Sequence, residues 1–279
     1  MSLKITTLIE NMPDKEDKLA FEHGFSAWVE LDDKKILFDT GQTGAFAANA
    51  KQLGIDLSEA DGVILSHGHY DHTGGVPALL TKLKKKTPVY IGKEFFLPKY
   101  KLLEDGCYKY NGTPFEKEQL TENAKAEPYY IEDTVTKISG NLILFKNFSR
   151  TNDFEKVNPK FFVRTEQGLV QDLFPDEIAL GIVTGQGLVL LVGCSHVGIV
   201  NILETVRKTL SIPIAAIIGG THLVEAGEDR LEKTIEAFRV HGVKTIAVSH
   251  CTGEAGMALL QKEFPDGFVL NNTGNVMEF

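Results

Sequence analysis

Ser66-His67-Gly68-His69-Tyr70-Asp71-His72-Thr73-Gly74-Gly75 is the stretch on which the reading of this chain turns. It sets His67, His69, Asp71 and His72 within six consecutive residues. Imidazole and carboxylate are the usual ligands of zinc and similar divalent ions. The stretch follows Gly62-Val63-Ile64-Leu65, an apolar run short enough to be a buried strand, so these groups arrive at a strand end inside the protein. Burying so many polar groups without a partner is costly, and a metal ion is the natural partner. The spacing predicts that His67 and His69 bind one ion while Asp71 and His72 turn towards a second. Gly68, Gly74 and Gly75 allow the tight backbone path. These donors do not separate zinc from iron or manganese, so the expected cofactor is one or two Zn2+, with Fe or Mn as alternatives.

Working outward, the upstream sequence reads as strands over 4–10, 26–31 and 35–38, with Asp32-Asp33 turning a hairpin. The last of these leads into Asp39-Thr40-Gly41. Phe46, Ala50 and Leu53 recur at helical spacing and Gly54 follows as a stop, which predicts a helix over 43–53. After the histidine run come a helix over 76–84, a strand over 89–92 and a short helix around 94–103. The polar, aromatic-bearing stretch at about 104–137, from Tyr108 to Tyr130, reads as an insertion: a loop packed down by its rings, or a lid facing substrate.

The second half repeats the grammar. Strands are expected over 141–145, 178–184, 188–192, 214–218, 245–248 and 268–270. Helices are expected over 197–210, around Leu231, Ile235 and Phe238, and over 254–264. Strands lead each half and no long linker divides them, so two sheets sandwiched between helices in one domain, 1–279, is the expected architecture. Three apolar runs end in polar signals: Gly193-Cys194-Ser195-His196, Gly219-Gly220-Thr221-His222 and Ser249-His250-Cys251-Thr252-Gly253. Histidines in three equivalent places point to a shared site. Cys194 reads equally as a thiolate ligand and as a small buried residue. His23 reads as a surface residue or one reaching the site, and His241 as a helix cap.

The run at 67–72 resembles the defining motif of the metallo-β-lactamase superfamily, and the likeness extends over nearly the whole chain. It implies a four-layer αββα sandwich. It also implies that Asp39 orients the metal loop, that His250 joins Asp71 and His72, and that His196 completes the set of His67 and His69. Asp71 and His222 are the expected catalytic groups. The chain departs from the common pattern at Cys194, which stands where a bridging aspartate is usual and puts a second ion in doubt. Glu10-Asn11, Glu22-His23-Gly24, Gly219-Gly220-Thr221-His222-Leu223 and His250-Cys251-Thr252-Gly253 further resemble the branch named for 7,8-dihydropterin-6-methyl-4-(β-D-ribofuranosyl)aminobenzene 5'-phosphate synthase.

Bulk properties narrow the function. A formal net charge of −9 without a basic stripe argues against nucleic-acid binding. Three scattered cysteines, Cys107, Cys194 and Cys251, are no disulfide framework and suit a reducing cytoplasm. No apolar run is long enough to span a membrane. The leading expectation is hydrolysis of a small-molecule ester, amide or phosphodiester by a hydroxide held at a dinuclear site. The alternatives are condensation of a dihydropterin with a ribosyl-aminobenzene phosphate, and a catalytically silent metal-binding or ligand-sensing protein. The expected partner is a small molecule, anionic or pterin-like.

Overall fold

The run Gly187–Val192 shows why this sequence makes layers: every residue in it is buried, on both faces of the strand. Side chains alternate across a strand, so Leu188, Leu190 and Val192 join one apolar cluster while Val189 and Leu191 join another. The computed structural model describes residues 2–279. In it one seven-stranded sheet runs, from edge to edge, through Val276–Glu278, Leu3–Ile9, Ser26–Leu31, Lys34–Phe38, Gly62–Ile64, Thr87–Gly92 and Ala126–Ile131. The second runs through Phe268–Leu270, Thr245–Ser249, Ile214–Gly220, Gly187–Val192, Ala179–Thr184, Leu142–Phe145 and Val135–Lys137. Each sheet is antiparallel at one side and parallel at the other.

The two sheets bury their facing sides against each other through residues such as Val29, Phe38 and Ile64 from the first and Leu144, Ile182 and Leu191 from the second. Each such side chain contributes about 1.5–3 kcal/mol on burial. The outer face of the first sheet is covered by helices including Ala45–Gln52 and Val76–Leu80, through Phe46, Ala50, Val76 and Leu79. Helices Ile199–Thr209, Glu228–Val240 and Gly253–Glu263 cover the second, through Leu203, Val206, Phe238 and Leu260. The result is the four-layer αββα sandwich expected from the sequence.

The region after the metal loop departs from expectation. In place of a helix around 94–103 there is a turn followed by strand Lys99–Leu102. Pro98 explains the change, since it lacks an N–H and biases the residue before it away from helical geometry. That strand belongs to a small antiparallel sheet ordered Gly168–Gln171, Phe161–Thr165, Lys99–Leu102, Tyr108–Tyr110. Within 104–137, residues Ala126–Ile131 and Val135–Lys137 are strands of the two main sheets. Tyr100, Tyr108, Tyr110 and Phe162 share the outer face of the small sheet, where Tyr108 packs on Phe162 and Tyr110 on Tyr100.

Candidate metal centre

Parallel strands deliver the polar groups at their carboxyl ends, where open α/β sheets present ligand sites. His67, His69, Asp71 and His72 follow Gly62–Ile64, and Asp39 follows Lys34–Phe38. Cys194 and His196 follow Gly187–Val192, His222 follows Ile214–Gly220, and His250 follows Thr245–Ser249. Asp39, Ser195, His222 and His250 all hold left-handed backbone, with φ of 55°, 58°, 48° and 54°. Such geometry costs on the order of 1–3 kcal/mol per non-glycine residue and persists only where surrounding contacts enforce it. The metal loop itself is threaded under Gln42, whose carbonyl oxygen a Cβ on Gly74 would overlap. Gly24 serves a similar purpose, its open side lying against the Asp71 carbonyl oxygen at a φ of +150°.

Two overlapping sets of donor atoms result. Nδ1 of His69 lies 3.1 Å from Nε2 of His67 and 3.1 Å from Nε2 of His196. Burial, reinforced by the neighbouring imidazoles, pushes the proton affinity of all three rings well below the usual histidine value. Neutral rings turn lone pairs, not protons, towards a common point. In the second set Nε2 of His72 is 3.2 Å from Nε2 of His250, and the Asp71 carboxylate is 3.4 Å from His250 and 3.8 Å from His72. The Cys194 thiol sits between the sets, with Sγ 3.1 Å from His72 and 3.3 Å from His250. Its sulfur also lies within 4.8 Å of donors on His67 and His196, and within the same distance of His222 and Cys251. Burial pushes the Asp71 carboxyl up, but His72, His23 and His250 outweigh it and hold it well below its ordinary value.

The atoms behind these donors fix their tautomers. Asp39, fully buried, accepts hydrogen bonds from Ser66 N–H at 2.7 Å, from Ser66 Oγ at 2.7 Å and from His72 Nδ1 at 2.6 Å. With its own proton given to Asp39, Ser66 Oγ accepts from His67 Nδ1 at 2.9 Å. His250 Nδ1 donates to Asn11 Oδ1 at 2.8 Å. The outer nitrogens of His67, His72 and His250 are thereby the protonated ones and their Nε2 atoms face inward, the usual arrangement behind metal-bound histidine, whereas His69 turns Nδ1 inward and the outer nitrogens of His69 and His196 have no partner among the described residues. Burial pushes the His72 imidazole down, but Asp39 and Asp71 outweigh it and raise it to about 9, so a bound ion would take the place of its second proton. Imidazole, carboxylate and thiol donors at these spacings fit a divalent ion of the zinc kind.

The sequence-expected residues gather at one place. His222 stands apart from both hydrogen-bonded sets. It is buried beside His196, with ring centroids 4.4 Å apart, and its ring forms a third donor group with the Cys194 and Cys251 sulfurs, all within 4.8 Å of one another. His23 reaches the site, its Nε2 3.2 Å from Asp71. His241 ends its helix and meets Glu204 away from the site.

Other contributors carry no local signal. Glu177 accepts the backbone N–H of His196 and Val197, and burial raises its carboxyl to about 7. Phe174 stacks on His196 with centroids 4.1 Å apart and planes 6° from parallel. Lys99, fully buried, lies 2.8 Å from each of Asp172 and Asp176, and Asp176 accepts the Gly68 N–H of the metal loop. Nothing in Lys99 or Asp172 taken singly marks them. The signal, visible only afterwards, is a lysine two positions before another on a strand that must face inward.

A cleft of about 470 Å³ opens over the donors, lined by His222, Phe161, Asn111, Lys101, Lys109 and Glu225 among others. The aromatic residues that reach it are Phe161 and Tyr70. Tyr108 and Tyr110 do not line it, because strand alternation turns Lys109 inward and these two outward, and Tyr129 and Tyr130 lie away from it on the edge strand Ala126–Ile131 of the first main sheet. No helix among the described residues is long and apolar enough to cross a membrane.

Comparison with known proteins agrees with this fold. Residues 20–147 match the Metallo-beta-lactamase superfamily. The chain is 31% identical to the 7,8-dihydropterin-6-methyl-4-(beta-D-ribofuranosyl)-aminobenzene-5'-phosphate synthase of Methanocaldococcus jannaschii, in an alignment covering 100% of this chain and 97% of the relative. The crystal structure of Tm1679, described as a metal-dependent hydrolase of the beta-lactamase superfamily, superposes with a TM-score of 0.85 at 33% identity over 99% of both chains. The metallo-beta-lactamase fold protein YhfI of Bacillus subtilis shares the fold, with a TM-score of 0.61 at 14% identity over 100% of both chains. The chain therefore belongs to the metallo-beta-lactamase superfamily of enzymes.

Proposed function

We propose that this protein is a dinuclear, zinc-type enzyme acting on a small molecule, with the two ligand sets sharing Cys194. The observation that carries the reading is the convergence of His67, His69 and His196 on one point and of Asp71, His72 and His250 on a neighbouring one, with the thiol between. A divalent ion bound there would acidify a water and polarise a carbonyl or phosphoryl oxygen. Asp39 and Asn11 hold the imidazoles in the tautomer that binds metal, and Asp71 keeps a negative charge facing the site. His222, buried at the cleft wall beside the Cys194 and Cys251 sulfurs, is placed to hold or give a proton, or to donate a hydrogen bond to a substrate anion.

Two reactions fit these residues. The first is condensation of a dihydropterin with a ribosyl-aminobenzene phosphate, supported by the full-length likeness to the archaeal synthase and by a cleft wall, Phe161, on which a flat ring can stack. The second is hydrolysis of a small ester, amide or phosphodiester, supported by the likeness to Tm1679. One experiment separates them. Elemental analysis of the purified protein is paired with a pterin-plus-arylamine-phosphate product assay and an ester and phosphodiester panel. Two metal equivalents and the coupled product support the first reaction, and turnover of the panel alone supports the second. Metal without turnover in either assay would leave a silent metal-binding protein and overturn the enzyme reading.

A further inference from the structure

The small sheet lays a face over the cleft, and that face carries an electrostatic oddity. Lys101 and Lys109 are directly opposed cross-strand partners, and Phe161 opposes Lys101 from the other side. Like charges set opposite each other on neighbouring strands repel, so such a pair normally recruits a carboxylate. Here neither ammonium has one within ion-pair distance among the described residues. Lys99, on the same face one step deeper, shows the contrast: Asp172 and Asp176 neutralise it fully. The carboxylates that line the cleft are engaged elsewhere, Asp71 with the imidazoles and Glu225 with Lys160 and Asn158. Lys101 is held over the Phe161 ring with Nζ 5.5 Å from its centroid, which places its charge at the cleft wall and not in bulk solvent.

Two unneutralised cations on the wall of the cleft that holds the metal donors call for a ligand with two negative charges. We propose that Lys101 and Lys109 form a phosphate-monoester subsite that anchors the substrate's phosphate against the small sheet while its reacting end reaches the donors of the metal centre. Phe161, on the far side of Lys101 from Lys109, offers its ring to the substrate's body, and Asn111 lines the same cleft. The assignment deepens the small-molecule reading above and rests on it. It makes the small sheet the specificity element, with the metal centre supplying chemistry and the lysines supplying selection.

The test measures binding by calorimetry to metal-loaded protein at constant ionic strength. The probes are phenylphosphonate, whose P–C bond resists hydrolysis, benzoate and phenol. Wild type is expected to bind phenylphosphonate at least about tenfold more tightly than benzoate, and phenol weakest. Lys101→Ala and Lys109→Ala should each weaken phenylphosphonate at least about tenfold with metal content unchanged, while the double Lys101→Arg, Lys109→Arg variant stays within about threefold. The ligand-free Lys109→Ala protein should melt no lower than wild type, because the substitution removes a repulsion; a purely structural lysine would lower it. Unchanged phenylphosphonate affinity in both alanine variants would mean that the metals alone hold the anion, and would overturn the proposal. Equal binding of benzoate would overturn the phosphate assignment as well. Lysine-dependent phosphonate binding in a protein that turns over neither substrate panel would sink the proposed reactions and leave the subsite standing.

Discussion

Lys99→Met tests whether the metal loop is held by a buried ion network. In the folded protein the Lys99 ammonium lies 2.8 Å from each of Asp172 and Asp176, all three side chains essentially without solvent. At that distance and an effective dielectric of about 20, each pair is worth roughly 6 kcal/mol of gross attraction, most of it offset by desolvation. Methionine matches the stem but removes the charge, leaving two buried carboxylates facing each other. Removing one partner from a buried ion pair costs about 3–5 kcal/mol, a large share of the roughly 5–15 kcal/mol that holds a domain together.

The loss should depend on pH in a definite direction. Burial already pushes the Asp176 carboxyl up against the pull of Lys99, and without the lysine it must rise further. An acid whose folded pKa exceeds its unfolded one contributes stability at low pH that is lost as pH rises, so Lys99→Met should be hurt more at pH 8 than at pH 5. Urea unfolding at both values reads the effect. Adding Asp172→Asn and Asp176→Asn to Lys99→Met should recover much of the loss, since an amide oxygen at 176 can still accept the Gly68 N–H. A Lys99→Met protein within about 1 kcal/mol of wild type, or equally destabilised at both pH values, would refute the network as the loop's anchor.

Further outcomes follow from the same geometry. Asp39→Asn, at a left-handed position that asparagine tolerates, should keep the fold but lower metal affinity by about 10–100-fold in chelator competition, because His72 and Ser66 lose their charged acceptor. On the dinuclear proposal, Cys194→Ala should reduce the bound metal from two equivalents to one by elemental analysis; retention of both would remove the thiol from the ligand set. His222→Ala should keep its metal and lose about 100-fold or more in turnover, and full activity would dismiss it as a proton or hydrogen-bond donor. Burial raises the Glu10 carboxyl from an ordinary 4.5 to about 7, so its contribution is present below pH 4.5 and lost as pH climbs through 7. Glu10→Gln should therefore flatten the stability profile over that window by up to about 3 kcal/mol in urea unfolding, and an unchanged profile would contradict the burial argument.

Much of this site is legible before any coordinates. His67, His69, Asp71 and His72 announce themselves because ligating groups at strand ends cannot be buried cheaply without a partner, and His196, His222 and His250 follow because each ends an apolar run. The layers are equally legible where strands are long and apolar, as at Gly187–Val192. Reading fails where neighbours in space are distant in sequence. Lys99 looks like one more lysine until strand pairing turns it inward onto Asp172 and Asp176, more than seventy positions away. Glu177 and Phe174 touch His196 only because a loop folds back over the strand end. The helix expected around 94–103 fails at Pro98, whose local rule was available, and its replacement by a strand depends on Phe161–Thr165 being there to pair with it.

The amino-acid sequence by itself determined which donors this protein has and that they arrive at strand ends, because residue type and hydrophobic period are local properties of the chain. Tertiary structure alone decided how the donors divide around Cys194, that His222 comes to lie beside Cys194 and Cys251, and that Lys101 faces Lys109 over the cleft. Those are matters of strand register and of distances across two sheets. A shift of one residue in register reverses which side chains face in, and no local pattern encodes it.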